Sequence, residues 1–312
     1  MEQYQQVTDK VSWVGVRHPE LEIFDELFPT HNGTTYNSYV VRGQEKTALI
    51  DTVKAPFTEE FLEKIEAAIG LDKIDLVVIS HTEPDHSGAL GRLLEMRPEL
   101  PVYCSRPSQN FLSQLLNVPF NAHVVSDGEE LDLGGLTLRF ILAPYLHWPD
   151  TIFTYLVEEA ILFPCDAFGA HYCARKLFDD EIPDFSKDFY FYFDCIMRPF
   201  KDKVRDAVAK VDKLDLKMIC PSHGPIRRTD PKAVVGAYRR LSAAPPEMIF
   251  LTIVSPSTDC RAAPIPLPCH RSPTTTENSA SLRLLSKMMR ATPSITSFDF
   301  DSDSATRAIW RS

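Results

Sequence analysis

Two histidines and two carboxylates crowd into one short stretch of the sequence, His81-Thr82-Glu83-Pro84-Asp85-His86. All four side chains are of types that bind metal ions, and a cluster of such groups indicates a metal site more specifically than any one of them alone. A polar surface loop is the alternative interpretation, but it explains poorly why four ligand-type side chains lie so close together. The stretch therefore predicts a metal site.

This metal-binding stretch lies where a buried strand is predicted to end. Residues 74–79 form an apolar, β-branched run of strand length, and a helical pattern begins at Ala89. Between the two we expect an irregular loop, stiffened by Pro84, that points the ligands inward.

Three further candidate ligands follow predicted strands in the second half of the chain. His147 follows residues 136–142, Asp166 follows residues 160–163, and His223 follows residues 218–220. Taken singly, such a side chain is more often a hydrogen-bonded group of the surface or core. Four strand ends that each carry ligands instead predict one common site of seven residues: His81, Glu83, Asp85, His86, His147, Asp166 and His223.

The remaining elements indicate how these strand ends could meet. A hairpin is predicted from residues 36–42 and 46–53, and strands interleaved with helices follow, in an order that is repeated in two halves of the chain. Helices are predicted at residues 57–69, 107–116, 201–212 and 231–242. This order predicts an α+β fold in which two β-sheets pack together with helices outside them.

Composition excludes several classes of partner. The chain has 312 residues, 44% of them hydrophobic, and a formal net charge of -10, which argues against nucleic-acid or anionic-membrane partners. No apolar run reaches membrane-spanning length, and the polar start of the sequence lacks the features of a signal peptide. The 7 cysteines include no Cys-x-x-Cys pair, which is typical of reduced thiols. We therefore expect a cytoplasmic protein.

The order of the seven ligands resembles the metallo-β-lactamase-like domain of flavodiiron proteins. Flanking segments strengthen the resemblance: Gly33-Thr34-Thr35-Tyr36-Asn37-Ser38-Tyr39, Ala48-Leu49-Ile50-Asp51-Thr52-Val53, His147-Trp148-Pro149-Asp150 and Pro221-Ser222-His223-Gly224-Pro225. The similarity covers roughly residues 8–244.

The resemblance implies an αββα sandwich with a non-haem di-iron centre that reduces dioxygen to water, nitric oxide to nitrous oxide, or both. By that similarity one iron is held by His81, Glu83 and His147, the other by Asp85, His86 and His223, and Asp166 bridges them. It also implies a homodimer that receives electrons from a donor such as rubredoxin or a flavin module.

Glu83 favours this interpretation over a zinc-dependent hydrolase of the same fold. Hydrolases of the fold usually carry histidine at this position, whereas a carboxylate makes the site harder and more anionic, which suits iron or manganese. Three terminal ligands and a bridge leave each metal an open position for a diatomic gas. A zinc hydrolase acting on a thioester, phosphodiester or lactam remains the alternative.

The C-terminal segment departs from the family pattern. Residues 1–244 are expected to form the di-iron domain, where flavodiiron proteins continue into an FMN-binding flavodoxin-like domain. Here residues 245–312 contain no glycine, which a phosphate loop needs, and 255–281 are rich in Ser, Thr and Pro and predict disorder. The FMN-binding domain is therefore expected to be absent, through a shifted reading frame or in a genuine short form. A non-catalytic remnant is a third hypothesis.

Several other residues have both a structural and a functional interpretation. Trp148 is expected in the core, with packing over the site as the alternative; His31 and His171 are either structural or proton donors near the ligands. The aromatic run at 189–193 predicts packing or a subunit interface, and Arg227-Arg228 predicts a solvated surface.

Overall fold

The structure, a computed structural model, describes residues 3–243, so the predictions for the C-terminal segment 245–312 lie outside the described residues. Its strands are β1 Gln5–Gln6, β2 Val11–Trp13, β3 Val16–His18, β4 Ile23–Phe24, β5 Phe28–Pro29, β6 Thr34–Tyr36, β7 Tyr39–Arg42, β8 Thr47–Ile50, β9 Leu76–Val78, β10 Pro101–Cys104, β11 Asn121–Val124, β12 Glu130–Asp132, β13 Thr137–Leu142, β14 Ile152–Leu156, β15 Ile161–Phe163 and β16 Met218–Ile219.

The α-helices are α1 Thr58–Ala68, α2 Pro84–Ser87, α3 Leu90–Met96, α4 Arg106–Leu115, α5 Ser186–Tyr192, α6 Lys201–Val211 and α7 Pro231–Ala243. Short 3₁₀ turns lie at Ala55–Phe57, Leu71–Lys73, Asp179–Glu181 and Arg198–Phe200, and α5 continues into a π-helical turn at Phe193–Met197. The predicted helices at 57–69, 107–116, 201–212 and 231–242 are thus present, with ends shifted by about one residue.

Two sheets form the centre of the molecule. The first has the order β1-β2-β7-β8-β9-β10-β11 and the second has the order β12-β13-β14-β15-β16. Side chains alternate along the strands, as the two-residue period of a strand requires. Ala48 and Ile50 of β8 face the second sheet, where they join Phe140 and Phe163, whereas Leu49 faces the other way.

Helices cover the two outer faces. Phe61 of α1 and Leu93 of α3 pack on the first sheet in the same apolar cluster as Leu49. On the second sheet, Val204 of α6 and Tyr238 of α7 pack with residues of β14 and β15. The order of layers is helix, sheet, sheet, helix, which confirms the predicted α+β sandwich.

Local differences from the sequence predictions have simple causes. Residues 84–87 form one turn of helix instead of an irregular loop, because Pro84 at the first helical position needs no hydrogen-bond partner for a backbone N–H. Thr34 and Thr35 are polar, yet both lie in the buried strand β6. Among the described residues, no helix is both long and apolar enough to cross a membrane.

Candidate metal centre

Four strand ends meet at one edge of the sandwich. Strands β13 and β15 both run antiparallel to β14, and β16 runs parallel to β15, so their carboxyl ends lie at the same edge of the second sheet. His147, Asp166 and His223 follow these three ends. The first sheet joins at this edge, because the Ile152 N–H at the start of β14 donates to the Ser80 carbonyl just after β9, at 2.9 Å. The fold therefore brings all seven predicted ligands together.

The first ligand group consists of His81, Glu83 and His147. The Nε2 atoms of His81 and His147 lie 3.0 and 3.1 Å from Glu83 Oε2. The same two nitrogens lie 3.5 and 3.3 Å from Oδ2 of Asp166. His81 is fully buried, whereas the side chain of His147 is 17% exposed, so this group lies nearest to solvent.

The second ligand group consists of Asp85, His86 and His223. His86 Nε2 and His223 Nε2 lie 3.0 and 3.3 Å from Oδ1 of Asp166. The two oxygens of Asp85 lie 3.4 and 3.1 Å from the same nitrogens. All three residues are buried. Each oxygen of Asp166 therefore faces a different group, which is the arrangement of a bridging carboxylate.

The spacing of these atoms fits metal coordination. Donors that lie about 2.0–2.2 Å from one ion, at roughly 90–110° to each other, are about 3.0–3.5 Å apart. Ligand-type atoms of His81, Glu83, His86 and Asp166 also lie within 4.8 Å of one another, as do those of Asp85, His86 and His223. His86 thus lies close to both groups.

Unsatisfied buried atoms give an independent test of fit. Within the described residues, both carboxylate oxygens of Asp85 and Asp166 and both ring nitrogens of His86 are buried without a hydrogen-bond partner. His86 Nε2 lies 3.4 Å from Asp85 Oδ1 and 3.0 Å from Asp166 Oδ1, yet not in hydrogen-bonding geometry. Buried polar atoms are normally paired. Lone pairs that converge on a common point instead of on each other are what a bound cation requires, so these residues fit a metal centre.

The charges of the site depend strongly on one another. Burial alone lowers the pKa of His81, His86 and His147, but the surrounding carboxylates outweigh burial and raise each of these pKa values to about 10. Conversely, burial raises the pKa of Asp166, and the neighbouring histidines hold this pKa well below its usual range. Without a metal, the histidines therefore carry protons that balance the carboxylates.

Asp150 lies three residues after His147, and its role as the partner of a ligand histidine was not predicted from the sequence. Asp150 is fully buried, and its Oδ1 accepts a hydrogen bond from Nδ1–H of His81 at 3.1 Å. In the second group, Nδ1–H of His223 donates to the Thr35 carbonyl at 2.7 Å. Each partner fixes which ring nitrogen faces the centre. Asp150 lies far from His81 in sequence, and no pattern in the sequence pairs the two.

Asp25 is a second residue that the sequence did not single out. It lies in the turn between β4 and β5 with a positive φ of 49°. Asp25 is exposed at the surface, but partial burial of its carboxyl group beside the Glu83 carboxylate raises the pKa of Asp25 to about 7. Asp25 therefore lies beside the first ligand group.

Two of the remaining histidines have different surroundings. His171 is buried, with Nδ1 3.0 Å from the Thr34 hydroxyl and its ring 5.1 Å from the ring of His223, whereas His31 is exposed. The Trp148 ring lies 5.0 Å from the His81 ring and is only half-buried.

Two further predictions concern the surface and the core. Phe189, Tyr192 and Phe193 are buried, so this part of the aromatic run is packing. The prediction of a solvated surface is wrong for Arg227, which is buried with its guanidinium 4.0 Å from the ring centre of Phe185. A cation stacked on an aromatic face tolerates burial.

Comparisons with known proteins agree with this geometry. The family model described as ODP family beta lactamase matches residues 34–224. The Type A flavoprotein fprA of Rhodobacter capsulatus is 44% identical over 238 residues, which are 75% of this chain and 55% of that protein. A protein named nitric oxide reductase from Moorella thermoacetica is 39% identical over 75% of this chain and 60% of its own length.

Solved structures of flavodiiron proteins also match. One of the matches is rubredoxin oxygen:oxidoreductase from Desulfovibrio gigas, with a TM-score of 0.74 and 32% identity, over 77% of this chain and 61% of that one. The chain therefore spans about half to three fifths of the length of the proteins that it resembles.

Proposed function

The chain belongs to the flavodiiron family, whose β-lactamase-like domain it contains, and from this membership we propose that it is a di-iron oxidoreductase. The proposed reaction is the reduction of dioxygen to water, of nitric oxide to nitrous oxide, or of both. Residues 1–244 constitute the proposed catalytic domain.

One observation carries this proposal: seven ligand-type side chains form two groups, and each oxygen of one carboxylate faces one group. We assign His81, Glu83 and His147 to one iron and Asp85, His86 and His223 to the other, with Asp166 between them. The carboxylate of Glu83 supports iron over zinc, because hard anionic ligands suit iron and the reaction needs a redox-active metal.

When bound, two adjacent irons supply electrons to a diatomic gas and hold it at open coordination positions. The residues of the chain do the rest. Asp166, through its two oxygens, holds the ligand groups at a fixed separation. His147 is the most exposed of the seven ligands, so the opening beside it is where a small gas molecule would enter.

Electrons must come from outside the described domain. We assign electron delivery to a donor such as rubredoxin or a flavin module, as the family resemblance implies. The name of the Desulfovibrio gigas protein pairs rubredoxin with oxygen, which supports this class of donor. A cytoplasmic homodimer is part of the same proposal, as the family resemblance implies.

Elemental analysis tests the proposal first. The full chain is expressed with iron supplied, purified without air, and analysed for metal beside an Asp166→Ala variant. Close to two irons in the parent chain, and at most one in the variant, are the expected result. Two zincs and little iron would instead favour the hydrolase, which a screen of ester and phosphodiester substrates would then examine.

Gas reduction is measured on the same preparation. A reduced viologen first reduces the iron-loaded chain, and the excess viologen is removed before gas is added, so the assay depends neither on the natural donor nor on direct reaction of viologen with the gas. Consumption of dioxygen or nitric oxide by the iron-loaded chain, and its loss in Asp166→Ala, are expected. An iron-loaded chain that consumes neither gas would refute the assigned reaction and support the non-catalytic remnant.

A further inference from the structure

The two ligand groups differ in the hydrogen-bond partners of the histidine Nδ1 atoms, which do not face the centre. In the first group, the fully buried carboxylate of Asp150 accepts the Nδ1–H of His81 at 3.1 Å. In the second group, His223 donates to a neutral backbone carbonyl, and His86 Nδ1 has no hydrogen-bond partner within residues 3–243. A formal negative charge is therefore bonded to a ligand of the first group, and none to these two ligands of the second.

The position of Asp150 is closely specified. Its Oδ2 accepts hydrogen bonds from the Thr82 N–H at 2.9 Å, the Thr82 hydroxyl at 2.6 Å and the Ser108 hydroxyl at 3.1 Å. Its backbone carbonyl accepts from the Ser105 hydroxyl at 2.8 Å. These hydrogen bonds hold the Asp150 carboxylate in one position and stabilise its negative charge.

This anion determines the state of His81. An ionised carboxylate only accepts hydrogen bonds, so Nδ1 of His81 carries a proton in both states of the site, and Nε2 is the nitrogen that loses its proton and turns its lone pair to a metal beside Glu83 and Asp166. Carboxylates bonded to a ligating histidine also make the imidazole a stronger donor to the metal. The effect is confined to the metal that His81 binds.

Asp51 is the other buried carboxylate near the histidines, and it is bonded differently. Its Oδ1 accepts the Ser80 N–H at 2.7 Å, and its Oδ2 lies 3.5 Å from the Ser222 hydroxyl. Within the described residues, its side chain makes no hydrogen bond to a histidine ring. Asp51 thus provides buried charge close to the centre without a direct bond to a ligand.

We propose that Asp150 makes the two metal positions unequal, so that the first ligand group holds its iron more tightly and in the higher oxidation state. The inference rests on the proposed di-iron function. If the site held two ferric ions, one electron from a viologen radical would reduce the ion held by the second group, and the ion held by the first group would stay ferric. Asp150 is a positioning residue in this scheme, because it acts through His81.

The test compares three variants of the full chain with the parent. Asp150→Asn removes the charge behind His81, Asp51→Asn removes a buried charge that is not bonded to a ligand, and Ser108→Ala removes one hydrogen bond to Asp150 but keeps its charge. Circular dichroism and thermal unfolding establish that each variant folds. Release of ferrous iron to a chromophoric chelator is then followed in time.

The parent chain should release its two irons in two phases. Asp150→Asn should speed the slower phase about 10–100-fold, the usual loss when the partner of a ligating histidine is removed, and change the faster phase less than about twofold. Ser108→Ala should speed the same phase by a smaller factor, and Asp51→Asn should leave it unchanged. Mössbauer spectra of the half-reduced centre should show one ferric site, whose parameters shift in Asp150→Asn.

Several outcomes would overturn the inference. A single release phase in the parent, equal acceleration of both irons in Asp150→Asn, or the same effect in Asp51→Asn would each do so. If Asp150→Asn does not fold, equal acceleration of both release phases by Ser108→Ala would overturn the inference in its place. A parent chain that binds no iron would instead count against the proposed function, so the two failures are distinguishable.

Discussion

Metal binding to the metal-free chain should release about three protons near pH 7.5, one from each of His81, His86 and His147. The pKa of each of these histidines is raised to about 10, so at this pH all three are protonated when no metal is present. A histidine must lose its Nε2 proton before it can bind a metal through that atom. Two divalent ions therefore replace three protons among the same carboxylates.

The steepness with which the apparent metal affinity depends on pH follows from the number of protons that compete with the metal. While all three histidines remain protonated, the apparent affinity for two ions should rise about a thousandfold for each unit of pH, a factor of ten per proton. Above the pKa of about 10 the histidines lose their protons without a metal, so the metal-coupled release should fall towards zero. The number of protons released on metal binding should therefore be constant near neutral pH and decline at higher pH.

Calorimetry in two buffers of different ionisation enthalpy measures the number of protons directly. Cobalt(II) serves as a redox-stable ion, and each titration is repeated with His147→Gln and His31→Gln. His147→Gln should reduce the release to about two protons, whereas His31→Gln should leave it unchanged, because His31 is exposed and is not one of the seven predicted ligands. Release of less than one proton by the parent chain would refute the charge balance inferred for the site.

Four further predictions follow from the same site. The metal-free chain should lose stability, on the order of a few kcal/mol, as pH rises from about 6.5 to about 10. The reason is that His81, His86 and His147, whose pKa values are raised to about 10, stabilise the fold only while they are protonated. Urea unfolding with and without metal measures the change. Glu83→His should change the preferred metal from iron to zinc, as competitive loading would show, and unchanged iron retention would contradict the argument from ligand hardness. Asp166→Asn weakens the bridge and should leave at most one iron per chain by elemental analysis. With rubredoxin alone the chain should turn over slowly, and addition of a flavin module should restore the rate; family-like rates with rubredoxin alone would contradict the expectation that a flavin must pass the electrons to the centre.

The sequence was most informative where chemistry and strand pattern coincide. Each predicted ligand follows an apolar run, and apolar runs of this kind become the central strands whose ends meet in the sandwich. The alternating side chains of β8 and β15 likewise follow from a pattern that is visible in the sequence. Local pattern was therefore enough to predict the layers and to find the residues of the candidate site.

Contacts between distant parts of the chain could not be predicted in this way. Asp150 pairs with His81 only because β14 begins beside the end of β9. Arg227 is an exposed type of residue by composition, yet two aromatic rings of the α5 region cover it. Asp25 reaches Glu83 from a turn whose conformation depends on positive φ angles at non-glycine residues. Each case depends on tertiary packing that no short window of sequence contains.

The division of ligands between the two sheets also sets an order for assembly during synthesis. The first sheet contributes His81 and Glu83 early, and the first group acquires its remaining ligand and the bridge once residue 166 has been made. The second group lacks a ligand until His223, which follows β16 near the end of the described residues, has been made. The ligand group that contains the hydrogen bond to Asp150 is therefore also the first for which the growing chain has all its residues.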